Sequence, residues 1–501
     1  MGAPEDEGTV DVTWRTIHTA SLPAMLQNLI DPLGSSVVTA LVGHFSIPDE
    51  TASDTLAAYA IASSTAQSLV WVFNFLVNGV ASRVSKAVKA VKAVKANRAG
   101  ELASRLRYSY AAAGIGGVCG AVLMALLFPL VCRMASLSDP VAALARPYFY
   151  TLVACLPLVL WHKANTGILY GVGSPTVCLV TQCVYTGLYV GWAWVCMQSH
   201  LSLTHLALGY GGAYLAAGCV ATVHILFRHP LGPVFRGVSP PSDTTEALPL
   251  LSEGEGEAEA EAGPEADSES ETDPSADAPF SVLSFVRDSR DLLIRSTMLQ
   301  TVFFVSSLLA GYLGTDALAA YQVTLSLWVL VSNLCDGYAN TAMVVGATVP
   351  ASHPSVMSTL MTRCVAMGVA ISALCSVSLA ASESWLVSLF TADPGVAAQL
   401  QGVWPVLCWS QPINSLIYIF DGFLYATQDF AFIRNALSLG VLCVFAPLVA
   451  VFFMLDSPSL SYVFGTKVCV NVWRFSTALY RCVGIPRKAR RAEEARKAAL
   501  V

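Results

Sequence analysis

Apolar windows centred near residues 32, 68, 121, 158, 185, 216, 303, 332, 370, 415, 442 and 470 fill most of this sequence. Each is about as long as the ~20 residues a helix needs to cross a hydrocarbon core. In lipid every backbone N–H and C=O must be satisfied within the structure itself, so runs of this kind imply helices rather than strands. Only 12% of the 501 residues are charged, against 55% apolar, and a soluble domain carries roughly twice that charged fraction. The sequence therefore predicts an all-α integral membrane protein with twelve transmembrane helices.

Loop charge sets the expected orientation. Between the second and third windows lie Arg83, Lys86, Lys89, Lys92, Lys95, Arg98, Arg105 and Arg107, whereas the preceding loop holds only Asp49, Glu50 and Asp54. The positive-inside rule puts the basic loop in the cytoplasm. Its lysines at three-residue spacing form one stripe suited to anionic lipid headgroups. An even number of spans then brings the basic tail, residues 483–501, to the same side, so both termini are expected to be cytoplasmic. The acidic, polar N-terminal tail, residues 1–14, has no charged-then-apolar leader, and no removable targeting segment is expected.

The net charge of -6 comes from one insert: Asp243 to Asp277 holds thirteen acidic residues and no Lys or Arg. It offers too little apolar surface to offset ordering entropy, so residues 229–285 are expected to be a disordered cytoplasmic linker. The linker divides the chain into an N-lobe, residues 15–228, and a C-lobe, residues 286–482, with six spans each. Nothing here suits a nucleic-acid partner.

Internal repeats relate the two lobes. Asp54-Thr-Leu-Ala-Ala-Tyr59 opens the second span and Asp316-Ala-Leu-Ala-Ala-Tyr321 the eighth. Later in each half, Pro157 precedes Gly167-x-Leu169-Tyr170, and Pro412 precedes Gly422-x-Leu424-Tyr425, so the two pairs are offset by 262 and 255 residues. Equal order and orientation imply parallel repeats about an axis along the membrane normal, an architecture of secondary transporters with a site near the bilayer midplane.

An ionisable side chain inside a span is costly and usually faces a cavity or a partner. Asp31 in the first span, Asp336 in the eighth and Asp421 in the tenth are the candidates to bind a coupling proton or Na⁺, or a cationic substrate. Pro32 removes a helical donor and could leave irregular backbone beside Asp31. Asn28, Asn78 and Asn333 are candidate cavity amides, and Phe304, Tyr321, Trp328 and Tyr418 candidate stacking surfaces for an aromatic or apolar cation. Arg295 and Arg434 read as residues at helix ends, snorkelling or forming an inter-lobe ion pair. His44 and His162 are placed at span ends. No hydrolase elbow, paired-histidine zinc motif, phosphate loop or dinucleotide loop is present, which argues against an enzyme. Fourteen cysteines without a Cys-x-x-Cys pair read as packing residues. No catalytic residue, metal or cofactor is expected, only a coupling ion, H⁺ or Na⁺.

Four stretches together resemble the multidrug and toxic compound extrusion (MATE) transporters, in their DinF-like branch. They are Leu22-Pro23 with Asp31-Pro32-Leu33 through Val42-Gly43-His44; Leu56-Ala-Ala58 with Phe73-Asn-Phe-Leu76; Arg295 through Leu318-Ala-Ala320 and Asp336-Gly337; and Gln411-Pro412 with Asp421-Gly422 and Asp429-Phe430. The resemblance implies a V of two six-helix bundles, acting as a monomeric antiporter that exports a small organic solute (an organic cation, drug or metabolite) in exchange for protons or Na⁺. Relatives that release citrate look similar around Asp31-Pro32, so an organic-anion exporter is an alternative, as are a lipid-headgroup flippase and, from another class, a receptor or channel. An excess of basic over acidic cavity residues would favour the anion reading. Where the family has an aspartate before Thr-Ala in the first span, this chain has Val38 before Thr39-Ala40. Asp31, two turns earlier on roughly the same face, is the expected substitute.

Overall fold

The computed structural model describes residues 12–44, 51–73, 80, 84, 99–172, 174–228, 290–348, 354–427 and 429–499, and every regular element among them is helical. The first half holds α1 (Trp14–Gly43), α2 (Ala52–Val72), α3 (Ala99–Met134), α4 (Asp139–Ala154), α5 (Leu156–Gly171), α6 (Pro175–Gln198) and α7 (Leu203–Val223), which ends in a π turn at His224–Arg228. The second half holds α8 (Arg290–Tyr312), α9 (Thr315–Thr348), α10 (Pro354–Ala381), the short α11 (Glu383–Phe390), α12 (Pro394–Ala426), α13 (Phe430–Gly440), a π turn at Val441–Phe445, α14 (Ala446–Phe452) and α15 (Leu460–Ala499). The linker 229–285, the basic stripe from Lys86 to Lys95, and Asn78 lie outside the described residues.

Two spans are assembled from pieces. A 44° bend separates α4 from α5, where Pro157 lacks the N–H that a continuous helix needs. The π turn joins α13 to α14 just before Pro447 in the same way. Counting each composite once, and setting aside α11, gives twelve spans. Six helices, over Arg107–Met134, Leu203–Arg228, Arg290–Tyr312, Thr315–Gly346, Ser355–Ala381 and Phe430–Phe452, are long and apolar enough to cross a membrane, and the bent pair makes a seventh. The other five, α1, α2, α6, α12 and α15, are long enough but carry more polar residues. Contrary to the expectation at Pro32, α1 stays helical through that residue.

Local sequence explains the helix starts. Thr51 caps α2 by accepting from the Asp54 N–H at 3.1 Å and donating to the Asp54 carboxylate at 2.6 Å. The first acid of the repeated motif is thus the first-turn partner of a cap, in the manner of a capping box. Asp393 caps α12, accepting from Gly395 and Val396. Gly314, at φ 114°, turns the chain from α8 into α9 in a conformation that suits glycine.

The halves meet through α1 and α2 on one side and α8 and α9 on the other. Leu56-Ala-Ala58 and Leu318-Ala-Ala320 are buried in this interface, where small residues allow helices close approach. Along the α1–α9 crossing, hydrogen bonds join His18 to Tyr338 at 3.0 Å, Ser21 to Thr341 at 2.7 Å, Asn28 to Asp336 at 2.8 Å and Thr39 to Ser326 at 3.2 Å. A Cβ on Gly337 would lie 2.1 Å from Met25 Cγ and 2.8 Å from the Ser21 carbonyl oxygen. Gly337→Ala should therefore force α1 and α9 apart and destabilise the protein by about 1–3 kcal/mol. Gly187→Ala, which meets nothing within 4 Å among the described residues, is the control. Thermal melting in detergent checks the pair, and equal melting temperatures would refute the close-packing account.

Large apolar side chains such as Leu126, Leu374 and Trp409 are 66–81% exposed. On a chain of this composition that surface faces lipid.

Candidate functional site: a cavity between the lobes

Between the halves lies a cavity of about 1670 Å³, walled by α1, α2 and α4 to α9, with α12 and Phe430 of α13 completing the C-half side. Of the predicted site residues, Asp31, Asp336, Asp421, Asn28, Asn333, Trp328 and Tyr418 all line it.

The N-half wall is built from tyrosines. Tyr185 and Tyr214 lie 4.1 Å apart, Tyr210 and Tyr214 4.9 Å, Tyr189 and Tyr210 5.4 Å, and Tyr59 and Tyr148 5.8 Å, centroid to centroid. Asp31 faces this basket from α1, and Lys163 of α5 acts on it electrostatically. No direct ion pair joins the two among the described residues. Lys163 Nζ sits 5.4 Å from the centre of the Trp71 ring. Tyr170, which ends the repeated Gly-x-Leu-Tyr motif, accepts a hydrogen bond from Gln27.

At the centre Asn28 Nδ2 donates to Asp336 Oδ2 at 2.8 Å, tying an amide of the N-half to a carboxylate of the C-half. Asn333, one turn earlier on α9, donates to the Val329 carbonyl.

The C-half wall is ionic. Asp421 Oδ2 accepts from Arg295 at 3.0 Å and from Arg474 at 2.8 Å, and all three side chains are at least four-fifths buried. The Arg295 guanidinium also lies 5.3 Å from the Tyr425 ring centre. A recess of about 40 Å³, lined by Arg295, Trp328, Asn414, Tyr418, Asn471 and Arg474 among others, adjoins the cluster. Inside it Asn471 donates to Asn414 at 2.6 Å.

Several expectations change. Arg295 is a cavity residue holding Asp421, not a helix-end arginine. Arg434 pairs with Asp291 within the C-half, not across the lobes. His162 is buried in the middle of α5, against Tyr214 at 5.5 Å, whereas His44 does end α1, bonded to the Leu389 carbonyl. Phe304 and Tyr321 do not line the cavity: Phe304 packs against the apolar core, and Tyr321 is fully buried with its hydroxyl donating to the Phe303 carbonyl. Val38 is fully buried in the apolar core.

Lys163, Arg474, Lys467 and the tyrosine basket escaped the sequence reading. The three cations carried a usable signal, since each is an ionisable residue inside an apolar window. The tyrosines converge from α2, α4, α6 and α7, and no local pattern marks that.

Comparison with known proteins adds what geometry cannot. A family model, MatE, matches residues 23–195 and 292–451, one match in each half. The chain belongs to the MATE transporter family. Members of this family are transporters, not enzymes. The chain is 27% identical over 201 residues to protein DETOXIFICATION 42 of Arabidopsis thaliana, a stretch covering 38% of each chain. Among solved structures it is similar to a multidrug resistance MATE family transporter in an inward-facing conformation, with a TM-score of 0.70 over 95% of this chain and 99% of that one at 12% identity. It is also similar to the eukaryotic MATE transporter AtDTX14, with a TM-score of 0.67 over 96% and 98% of the two chains at 13% identity. At such identities the likeness speaks for the fold: twelve helices in two six-helix bundles.

Proposed function

We propose that this chain is a secondary antiporter that exports a small organic solute in exchange for protons or Na⁺, and that the solute carries a positive charge on an aromatic or apolar body. One observation carries this reading. Asp31 and Asp336 line a ring-rich cavity without an ion-pair partner among the described residues. A carboxylate so placed attracts a cation, and the surrounding ring faces add cation–π attraction. The cavity lining holds four acids, Asp31, Asp291, Asp336 and Asp421, against the two bases Lys163 and Arg295, so the basic excess that would favour an organic anion is lacking. The proposed placement has both termini and the residues between the lobes in the cytoplasm, with the lobes bounded at 15–228 and 286–482.

The organic-anion reading keeps one specific observation. Two guanidiniums share the single carboxylate of Asp421, leaving that cluster net positive, and Arg295 Nε has no partner among the described residues. Uptake into proteoliposomes under imposed pH or Na⁺ gradients, with ethidium and citrate as probes, separates the two. Gradient-driven ethidium movement is expected. Citrate movement with no ethidium movement would replace the cation reading by the anion one.

A further inference from the structure

Lys467 on α15 is only 3% exposed, and its Nζ has no hydrogen-bond partner among the described residues. Four rings surround that nitrogen: Phe303 at 4.4 Å, Phe464 at 4.5 Å, Trp328 at 4.6 Å and Tyr321 at 5.3 Å from their centroids. They come from α8, α9 and α15 itself. Tyr321 is the C-half counterpart of Tyr59 in the repeated motif, so the residue that helps build the tyrosine basket in one half closes an aromatic cage in the other.

An ammonium presents three N–H donors, and here none meets an acceptor among the described residues. Ring faces offset part of that loss by attracting the positive charge, whereas a neutral amine needs far less compensation in an apolar enclosure. The charged and neutral forms therefore fit the closed cage very differently. Two of the walls, Phe303 and Trp328, also face the central cavity and its recess. These two residues thus stand next to both Nζ and the cavity, which makes them the wall whose movement would connect the two.

We propose that Lys467 is the proton-carrying group of the C-half, taking a proton from cavity water when the Phe303–Trp328 wall opens and returning it to water on the other side of the cycle. The proton moves between the amine lone pair and water, and no other group has to change charge. This rests on the cation-driven antiport proposed above and makes the proton the cation at this site. Asp421 is poorly placed for that task, because its carboxylate is already held by two cations.

Several charged and titratable groups on the helices packed around Lys467 already have partners. On α8 Arg295 binds Asp421, on α12 Asp421 holds both arginines, and on α15 Arg474 turns to the same carboxylate. On α9 the Tyr321 hydroxyl donates to the Phe303 carbonyl and Asp336 accepts from Asn28. Tyr418 of α12 faces the recess, and on α13 Arg434 is paired with Asp291.

The test needs no substrate. In the full-length chain in lipid nanodiscs, protonation of an amine over the Trp328 indole should alter its fluorescence, so raising the pH should give an emission step. Lys467→Met fills the cage with an apolar side chain and should remove the step. Trp328→Phe removes the reporter, and Lys467→Arg holds a fixed charge, so each should remove it as well. A step that survives in Lys467→Met or Lys467→Arg, or a wild type without one, overturns the proposal. Should the methionine variant fail to fold, the arginine and Trp328 variants still decide. In proteoliposomes with ethidium as probe, Lys467→Met should lose at least tenfold of pH-gradient-driven accumulation while keeping ethidium-for-ethidium exchange. Full gradient-driven accumulation in that variant also overturns the proposal. A wild type that carries neither ethidium nor citrate would refute the antiport reading, and the fluorescence titration would still decide the role of Lys467.

Discussion

Asp421→Asn is expected to destabilise the protein by about 3–5 kcal/mol, the cost of removing one partner from a buried ion cluster. The carboxylate is 9% exposed and receives both Arg295 and Arg474 on one oxygen. Asparagine can still accept a hydrogen bond, but it cannot neutralise either guanidinium, so two buried cations would face each other without a counter-charge. Melting temperature in detergent measures this, and adding Arg474→Met to Asp421→Asn should recover part of the loss. An Asp421→Asn protein that melts like the wild type would show that the cluster contributes nothing to the fold. The consequence for transport work is direct. A loss of activity in Asp421→Asn is not evidence of a lost proton or Na⁺ site unless folding has been measured alongside.

Asp31→Asn should reduce gradient-driven ethidium transport at least tenfold, equivalent to about 1.4 kcal/mol, while the protein still folds. The carboxylate lines the cavity and Lys163 is its electrostatic neighbour. Asparagine preserves shape and removes the charge that draws a cation. Placing an aspartate at Val38 in the same protein should not restore transport. Val38 is fully buried among apolar side chains and does not line the cavity, so a carboxylate there would be desolvated without a partner, at a cost of several kcal/mol. Transport rates and melting temperatures of the single and double variants check both statements, and an unimpaired Asp31→Asn would remove Asp31 from the proposed mechanism.

The architecture was legible because lipid leaves a sequence so few choices. Each apolar window corresponds to a span, and the duplicated Asp-x-Leu-Ala-Ala-Tyr segments fall on α2 and α9 in matching positions at the interface. The Gly-x-Leu-Tyr repeats were equally informative, since Tyr170 and Tyr425 both end on the cavity wall. What one dimension could not supply was partnership. Asp421 reads as an isolated carboxylate until Arg295, more than a hundred residues earlier, and Arg474, on the last span, are seen to converge on it. Tyr321 reads as a stacking surface, yet its ring turns toward Lys467. The two-turn step from Asp31 to Val38 keeps roughly one face of an ideal helix, but the cavity does not extend that far along α1. Periodicity gives direction around a helix and says nothing of where the cavity stops.

The α1–α9 crossing carries polar side chains, with hydroxyl, imidazole and amide groups hydrogen-bonded across it, among apolar residues such as Ile17, Met25 and Ala342. Its polar contacts lose little when they part, because water entering the gap replaces each bond with one of similar strength. Deep apolar interdigitation would instead have to be torn open in one costly step. Those contacts have the character of a bearing rather than a weld: firm while loaded, with each bond open to exchange for one of similar strength.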